Sequence, residues 1–218
     1  MTAQNLADAT SDGVALLRNE PVQARSAARL TALLDAAASI IDEIGYERLT
    51  TAMVAERAGA SIGTVYRYFP DRIVVLQSLS ARYLQTILER INGAVKDEGR
   101  ADWWQAVSAA VDVVVEAFRS ETGYRSLRLG DVLDVHPAAS AHSGGAIVAE
   151  SIAAVLVERF DLPEDDLAFR LEVVLDLTDA LLARAFANGG PGEERFIQEA
   201  RTIAHDYLVT AYGEPTDS

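Results

Sequence analysis

An all-α protein is what this chain predicts, on three observations. Apolar residues return at i, i+3, i+4 and i+7 along one stretch after another, the period of an amphipathic helix. No strand pair and no internal repeat appears anywhere in the sequence. Glycine and proline, at Gly45, Gly59, Pro70, Pro163 and the run Gly189-Gly190-Pro191-Gly192, punctuate these stretches at helix-length intervals.

Residues 1–22 carry Asn, Asp, Ser, Thr, Gly and Pro without a clear helical period and are expected to form a mobile arm. If that arm reached into a DNA minor groove, Arg18 and Arg25 would be its only basic candidates. From about Gln23 the pattern changes. Leu30, Leu33, Leu34, Ala37, Ala38 and Ile41 line one face of a helix that Gly45 ends. Two short helices around a tight turn follow. Thr50 or Thr51 is placed to cap the first, since a hydroxyl there accepts from an otherwise unpaired N–H. Gly59 falls where that helix must end, because glycine adopts positive φ without steric cost. Ser61 is placed to cap the second, and Pro70 cuts it off. Val54, Ala55, Ala58, Ala60, Val65 and Phe69 can close a small core between the pair, leaving Ser61, Ile62, Thr64, Tyr66, Arg67 and Tyr68 beside it. A compact pair with such a surface is a helix-turn-helix, whose second helix enters the DNA major groove.

Asp71 is placed to cap a long helix, Arg72 to about Val95, with an apolar side from Ile73 through Ile91. After the polar break 96–102, Trp103-Trp104 opens a helix through Phe118. Residues 120–136 read as one short irregular helix. Another helix follows Ser143-Gly144-Gly145 as far as about Phe160. The next runs from Asp165 to about Asn188 with Pro163 in its first turn, and the last covers 193–212.

Composition bounds the rest. The chain has 218 residues, half of them hydrophobic, enough for two helical modules sharing a core. The absence of cysteine excludes disulfides, thiolate metal sites and Cys nucleophiles together. No apolar run approaches the roughly 20 residues of a membrane span, and no signal pattern opens the chain; a soluble cytoplasmic protein is expected. The net charge of −14 is unevenly spread. Residues 25–72 balance six arginines against six acids, whereas residues 73–218 hold twelve basic and twenty-four acidic residues. Phosphate binding depends on local charge, so the acidity outside the helix-turn-helix does not exclude DNA.

Beyond the pattern, Leu49-Thr50-Thr51, Ala55-Glu56-Arg57-Ala58-Gly59, Gly63-Thr64-Val65-Tyr66-Arg67-Tyr68-Phe69 and Asp71-Arg72 resemble the signature of the tetracycline-repressor (TetR) family over residues 25–76. The rest of the chain resembles the family only in length and helicity. The resemblance implies an N-terminal three-helix DNA-binding module over 23–72 and a C-terminal helical ligand-binding and dimerisation domain over 73–213. It implies a homodimeric, ligand-responsive repressor on a double-stranded DNA operator. Ser61, Ile62, Gly63, Thr64 and Tyr68 match its base-contacting positions. A thymine methyl suits apolar Ile62. Thr51, Tyr66 and Arg72 match phosphate-contacting positions, with Arg25 a further candidate. Arg67 either meets phosphate or pairs with an acid of its own module. The other reading is a small-molecule binding protein that keeps the helix-turn-helix only as architecture.

The resemblance also implies an inducer pocket for a small, largely apolar molecule. Position alone nominates Trp103, Phe118, Tyr124 and His136, where filling a core is the competing role. The helix from 165 is apolar over so much of its surface that it is either deeply buried or shared with a second chain. Leu171, Val174, Leu175, Leu182 and Phe186, with Ile203 and Tyr207 on the last helix, are the dimer candidates, as the resemblance also implies. His136 and His142, near Asp131 and Asp134, lack the i, i+3 or i, i+4 spacing of helical zinc ligands, so no metal or cofactor is expected. No nucleophile motif, phosphate loop or paired-histidine motif points to an enzyme.

Overall fold

In the computed structural model, the backbone is described for residues 3–127 and 144–215, and side chains from residue 24 onward. Eight helices account for nearly all of it: α1 Ala3–Ile44, α2 Thr51–Arg57, α3 Ile62–Tyr68, α4 Arg72–Val95, α5 Trp103–Ser120, α6 Gly144–Phe160, α7 Leu167–Ala185 and α8 Glu194–Tyr212. No strand occurs among the described residues. The all-α expectation holds.

Local chemistry sets most boundaries. Asp71 caps α4, its Oδ1 accepting from Val74 N at 3.0 Å, and Asp102 caps α5 by accepting from Gln105 N at 2.8 Å. Gly45, at φ 82°, follows α1, and its N–H closes on Ile41 O at 2.9 Å. Two expected boundaries are corrected. The first helix is continuous from Ala3 rather than starting near Gln23. Pro163 precedes α7 instead of sitting in its first turn: Asp166, at φ 59°, turns the chain immediately before Leu167. Of the irregular helix expected over 120–136, the described part holds one 3₁₀ turn, Tyr124–Ser126.

One apolar core runs through the molecule. α1 packs on α2 and α4. α4 continues against α5 and α6, α6 lies on α7, and α7 lies on α8, with α5 touching α6, α7 and α8. At 1.5 Å per residue, α4 is about 36 Å long. It therefore begins beside the helix-turn-helix and ends deep in the second half of the chain. Among the described residues no helix is long and apolar enough to cross a membrane.

The turn joining the two halves is tied on four sides. Gly123 N donates to Asp42 of α1 at 3.2 Å, and Tyr83 of α4 donates to the Thr122 carbonyl. Tyr124, fully buried, sets its ring edge-on to Tyr83 and Phe118, with centroids 5.5 and 5.4 Å apart. Arg125 donates to the Phe118 carbonyl at 2.6 Å and the Gly190 carbonyl at 3.0 Å, holding the α7–α8 connection. These ties draw α1, α4, α5 and the α7–α8 connection onto one turn, and packing sets them rather than any local spacing.

Candidate nucleic-acid interface

The helix-turn-helix is assembled from α2 and α3 by backbone bonds its own residues dictate. Thr50 caps α2, its Oγ1 accepting from Met53 N at 3.2 Å. At the other end Gly59, at φ 58°, lets Ala60 N reach Ala55 O at 2.9 Å and its own N–H reach Glu56 O at 3.2 Å. That pair of bonds is the Schellman ending, which needs one left-handed residue. Ser61 caps α3, its Oγ accepting from Thr64 N at 3.1 Å. Val54 and Val65 are wholly buried and Ala55 and Phe69 nearly so, while Ala58 and Ala60 pack partly buried against them. A bidentate Arg57–Glu43 pair, with both contacts at 2.8 Å, bolts α2 to α1. Glu43 lies below the usual carboxylate range, chiefly because Arg57 donates to it.

What remains outside this core is the outer face of α3. Ile62 is 43% and Tyr66 54% exposed, unusual for large apolar side chains in an otherwise closed fold. Gly63 is exposed beside them. A Cβ there would meet nothing nearer than Ser61 Oγ at 3.9 Å, and its φ is not positive. Glycine inside a helix costs about 0.8–1.0 kcal/mol relative to alanine. Among the described residues neither a close contact nor a positive φ calls for glycine at this position.

The expected contact residues fall into three groups. Ile62, Gly63 and Tyr66 are exposed and uncommitted, as are Arg25 and Arg67 apart from the Arg67 guanidinium resting 5.3 Å from the Tyr68 ring centroid. Among the described residues Arg67 meets no carboxylate, so of its two expected roles the acid pair is absent. Ser61 and Thr64 lie at the same face, but their hydroxyls bond each other at 2.9 Å. Thr51, Arg72 and Tyr68 are half-buried. Arg72 Nη1 donates to the Glu47 carbonyl at 2.6 Å, leaving its other nitrogens available. Tyr68 Oη bonds to Ser26 on α1, 3.0 Å from its Oγ. The Arg57–Glu43 and Tyr68–Ser26 ties join residues 14 and 42 apart and leave no local signal in the sequence.

The pocket candidates are not one group. Phe118 and Tyr124 stand together, with Phe186 stacked on Phe118 at 5.4 Å. Trp103 lies fifteen residues from Phe118 along α5, about 22 Å away by helix rise. His136 lies outside the described residues, as do Asp131, Asp134 and His142. A cleft of about 660 Å³ opens beside Phe118 and Phe186, walled by Asp42, Tyr46 and Glu47 on one side and Arg125 on the other.

Of the dimer candidates, Leu171, Val174, Leu175, Leu182 and Phe186 fill the chain's own core instead, each 7% exposed or less. A side chain closed over by α6 and α8 has no surface left to bury on a second chain. Ile203 and Tyr207 are half-buried on α8. The outward side of α7 carries Phe169, 63% exposed, and Leu177, 42% exposed.

Comparison with known proteins bears on the whole chain. Residues 33–77 match the family described as bacterial regulatory proteins, tetR family, and residues 101–212 match the tetracyclin repressor-like C-terminal domain. A crystal structure of a TetR-family transcriptional regulator from Streptomyces coelicolor is 30% identical, covering 84% of this chain and 98% of that one with a TM-score of 0.69. The HTH-type transcriptional repressor KstR of Mycobacterium tuberculosis is 27% identical over 176 residues, 81% of this chain and 66% of that protein. The nucleoid occlusion factor SlmA of Haemophilus ducreyi is 33% identical over 91 residues, 42% of this chain and 44% of its own length. The chain thus spans less than half of that relative and about two thirds of KstR. The helix-turn-helix with its outward-facing α3, the helical second half and these matches at both ends agree: the chain belongs to the tetracycline-repressor family of transcriptional regulators.

Proposed function

We propose that this chain is a repressor that binds an inverted-repeat operator as a homodimer and releases it when a small, largely apolar molecule binds. Residues 23–72 form the DNA-binding module in this reading, and residues 73–213 bind the ligand and the second chain. The observation that carries it is the outer face of α3: exposed Ile62 and Tyr66 flank a glycine that the fold itself does not need. The similarity to KstR, a repressor, supports the direction of regulation. Selection of bound fragments from genomic DNA, followed by gel shift on the fragment upstream of its own gene, tests the core claim. Failure to enrich any sequence would overturn it.

Thr64 and Arg72 should fail differently when replaced by alanine. Arg72 keeps guanidinium nitrogens free beyond its bond to Glu47, and phosphate is their natural partner. Its loss should weaken binding to every duplex alike and reduce the salt slope by about one unit, one fewer counterion being released. Loss of the Thr64 side chain leaves the cap from Ser61 to its backbone N–H intact. It should cost roughly 1–3 kcal/mol at the operator and leave the salt slope nearly unchanged. Titration against operator and scrambled duplex at several salt concentrations separates the two.

Ligand release requires only that the ligand prefer an arrangement in which the two α3 helices are misplaced. A preference of about 1–3 kcal/mol shifts affinity roughly 5- to 150-fold. α4 is the proposed lever, since it starts three residues after α3 and packs on α5 and α6 further along. Apolar compounds found by thermal shift should weaken the operator complex in an anisotropy titration. A set of compounds that all stabilise the protein yet leave DNA affinity unmoved would remove the coupling.

A further inference from the structure

We propose that Tyr68 is a positioning residue that fastens the middle of α1, at Ser26, to the recognition helix α3, and that Arg29 of α1 thereby becomes a phosphate contact. The proposal rests on the DNA-binding reading above. The match to the family's recognition helix makes Tyr68 a base reader. In the structure its ring is half-buried, tilted on Phe69 with centroids 6.3 Å apart. Its hydroxyl lies 3.0 Å from Ser26 Oγ and 3.5 Å from Ser26 O. A phenol has one proton to donate. Whichever of the two oxygens donates, that bond holds the Tyr68 hydroxyl against α1.

The tie matters because apolar packing does not hold this part of α1. Every residue from Ala24 to Arg29 is exposed, and Leu30 is the first that is not. Arg25 and Arg29 are one turn apart on α1, with Ser26 between them and Arg29 three residues beyond it. Across the tie, the Arg67 guanidinium rests over the Tyr68 ring. The hydrogen bond with Ser26 foremost, opposed by burial and assisted by Arg67 and more weakly by Arg29, holds the Tyr68 hydroxyl below the usual phenol range. Among the described residues neither arginine meets a carboxylate. Arg29, one turn from Ser26 on the same side of α1, and Arg67, over the Tyr68 ring, thus flank the tie, an arrangement that an anion spanning both would match. With α3 in the major groove, the Tyr68 tie sets the Ser26–Arg29 side of α1 beside it, and the DNA backbone there supplies phosphate as that anion.

Six chains test this: wild type, Tyr68→Phe, Ser26→Ala, their double variant, Arg29→Ala and Tyr68→Phe/Arg29→Ala. Phenylalanine keeps the ring on Phe69, and circular dichroism checks that each variant folds. Affinity is measured against salt on the upstream fragment and on a scrambled duplex, with the base preference of each variant selected from random DNA. Tyr68→Phe and Ser26→Ala should each weaken both duplexes about two- to tenfold, the equivalent of one neutral hydrogen bond. The double variant should be no worse than the worse single one. Arg29→Ala should reduce the salt slope by about one unit in wild type and by clearly less once Tyr68 has lost its hydroxyl. If Tyr68→Phe changes the selected bases while Ser26→Ala does nothing, Tyr68 reads DNA and the positioning role is wrong. An unchanged slope in Arg29→Ala on either duplex overturns the phosphate contact. Should wild type itself show no preference between the two duplexes, the operator reading falls, and this proposal falls with it.

Discussion

Leu177→Asp combined with Phe169→Glu should yield a folded monomer whose affinity for an inverted repeat is lower by about 10²–10⁴, the usual advantage of engaging two linked sites at once. Phe169 and Leu177 are the large apolar side chains that α7 leaves exposed, two turns apart on one side. Val173 lies between them and Leu181 one turn beyond, both half-buried. Ile203 and Tyr207 of α8 are half-buried as well. An apolar stripe of this kind on two neighbouring helices is what a second copy would cover. A carboxylate placed there costs little in an isolated chain, because water reaches it. Across an interface it would lose that water without a partner. Light scattering should show the mass falling from twice the monomer to one. Affinity for a single half-site should stay within severalfold of wild type, since α3 is untouched. A variant that remains dimeric would move the interface off this face of α7.

Gly123→Ala should cost about 2–5 kcal/mol of stability. The backbone there has φ 78°, where an L residue pays about 1–2 kcal/mol. The new Cβ would also lie 2.7 Å from the Ala38 carbonyl oxygen and 3.0 Å from Tyr83 Oη. Ala38 is in the interior of α1 and 3% exposed, so its carbonyl cannot swing aside. Overpacking of that kind adds about 1–3 kcal/mol. Gly93→Ala in α4 is the matched control: nothing lies within 4 Å of its Cβ and its φ is not positive. It should stabilise by about 0.4–1 kcal/mol, because alanine has less chain entropy to lose. Urea titration with an unchanged m value reads both. The Gly123 variant should also weaken DNA binding, since the bond from Gly123 N to Asp42 helps seat α1, the helix against which α2 packs.

The sequence by itself determined those features whose cause lies within a few residues. Thr50, Ser61, Asp71 and Asp102 each cap a helix by bonding an N–H three residues ahead, which a local reading can see. Gly59 and its left-handed turn belong to the same class, as does the division of α3 into a buried side with Val65 and an exposed side with Ile62 and Tyr66. Only the tertiary structure decided which faces meet. Leu171, Val174 and Leu182 point into their own chain while Phe169 and Leu177 of the same helix point out, a choice that a helix apolar on most sides does not encode. Phe118, Tyr124 and Phe186 form one cluster and Trp103 stands apart, although all four read alike as aromatic candidates. Tyr68 turned to Ser26, Arg72 to the Glu47 carbonyl and Gly123 to Asp42 through contacts 42, 25 and 81 residues apart. Such pairs exist only once the helices have packed, because their geometry is set by where two surfaces meet and not by any spacing along the chain.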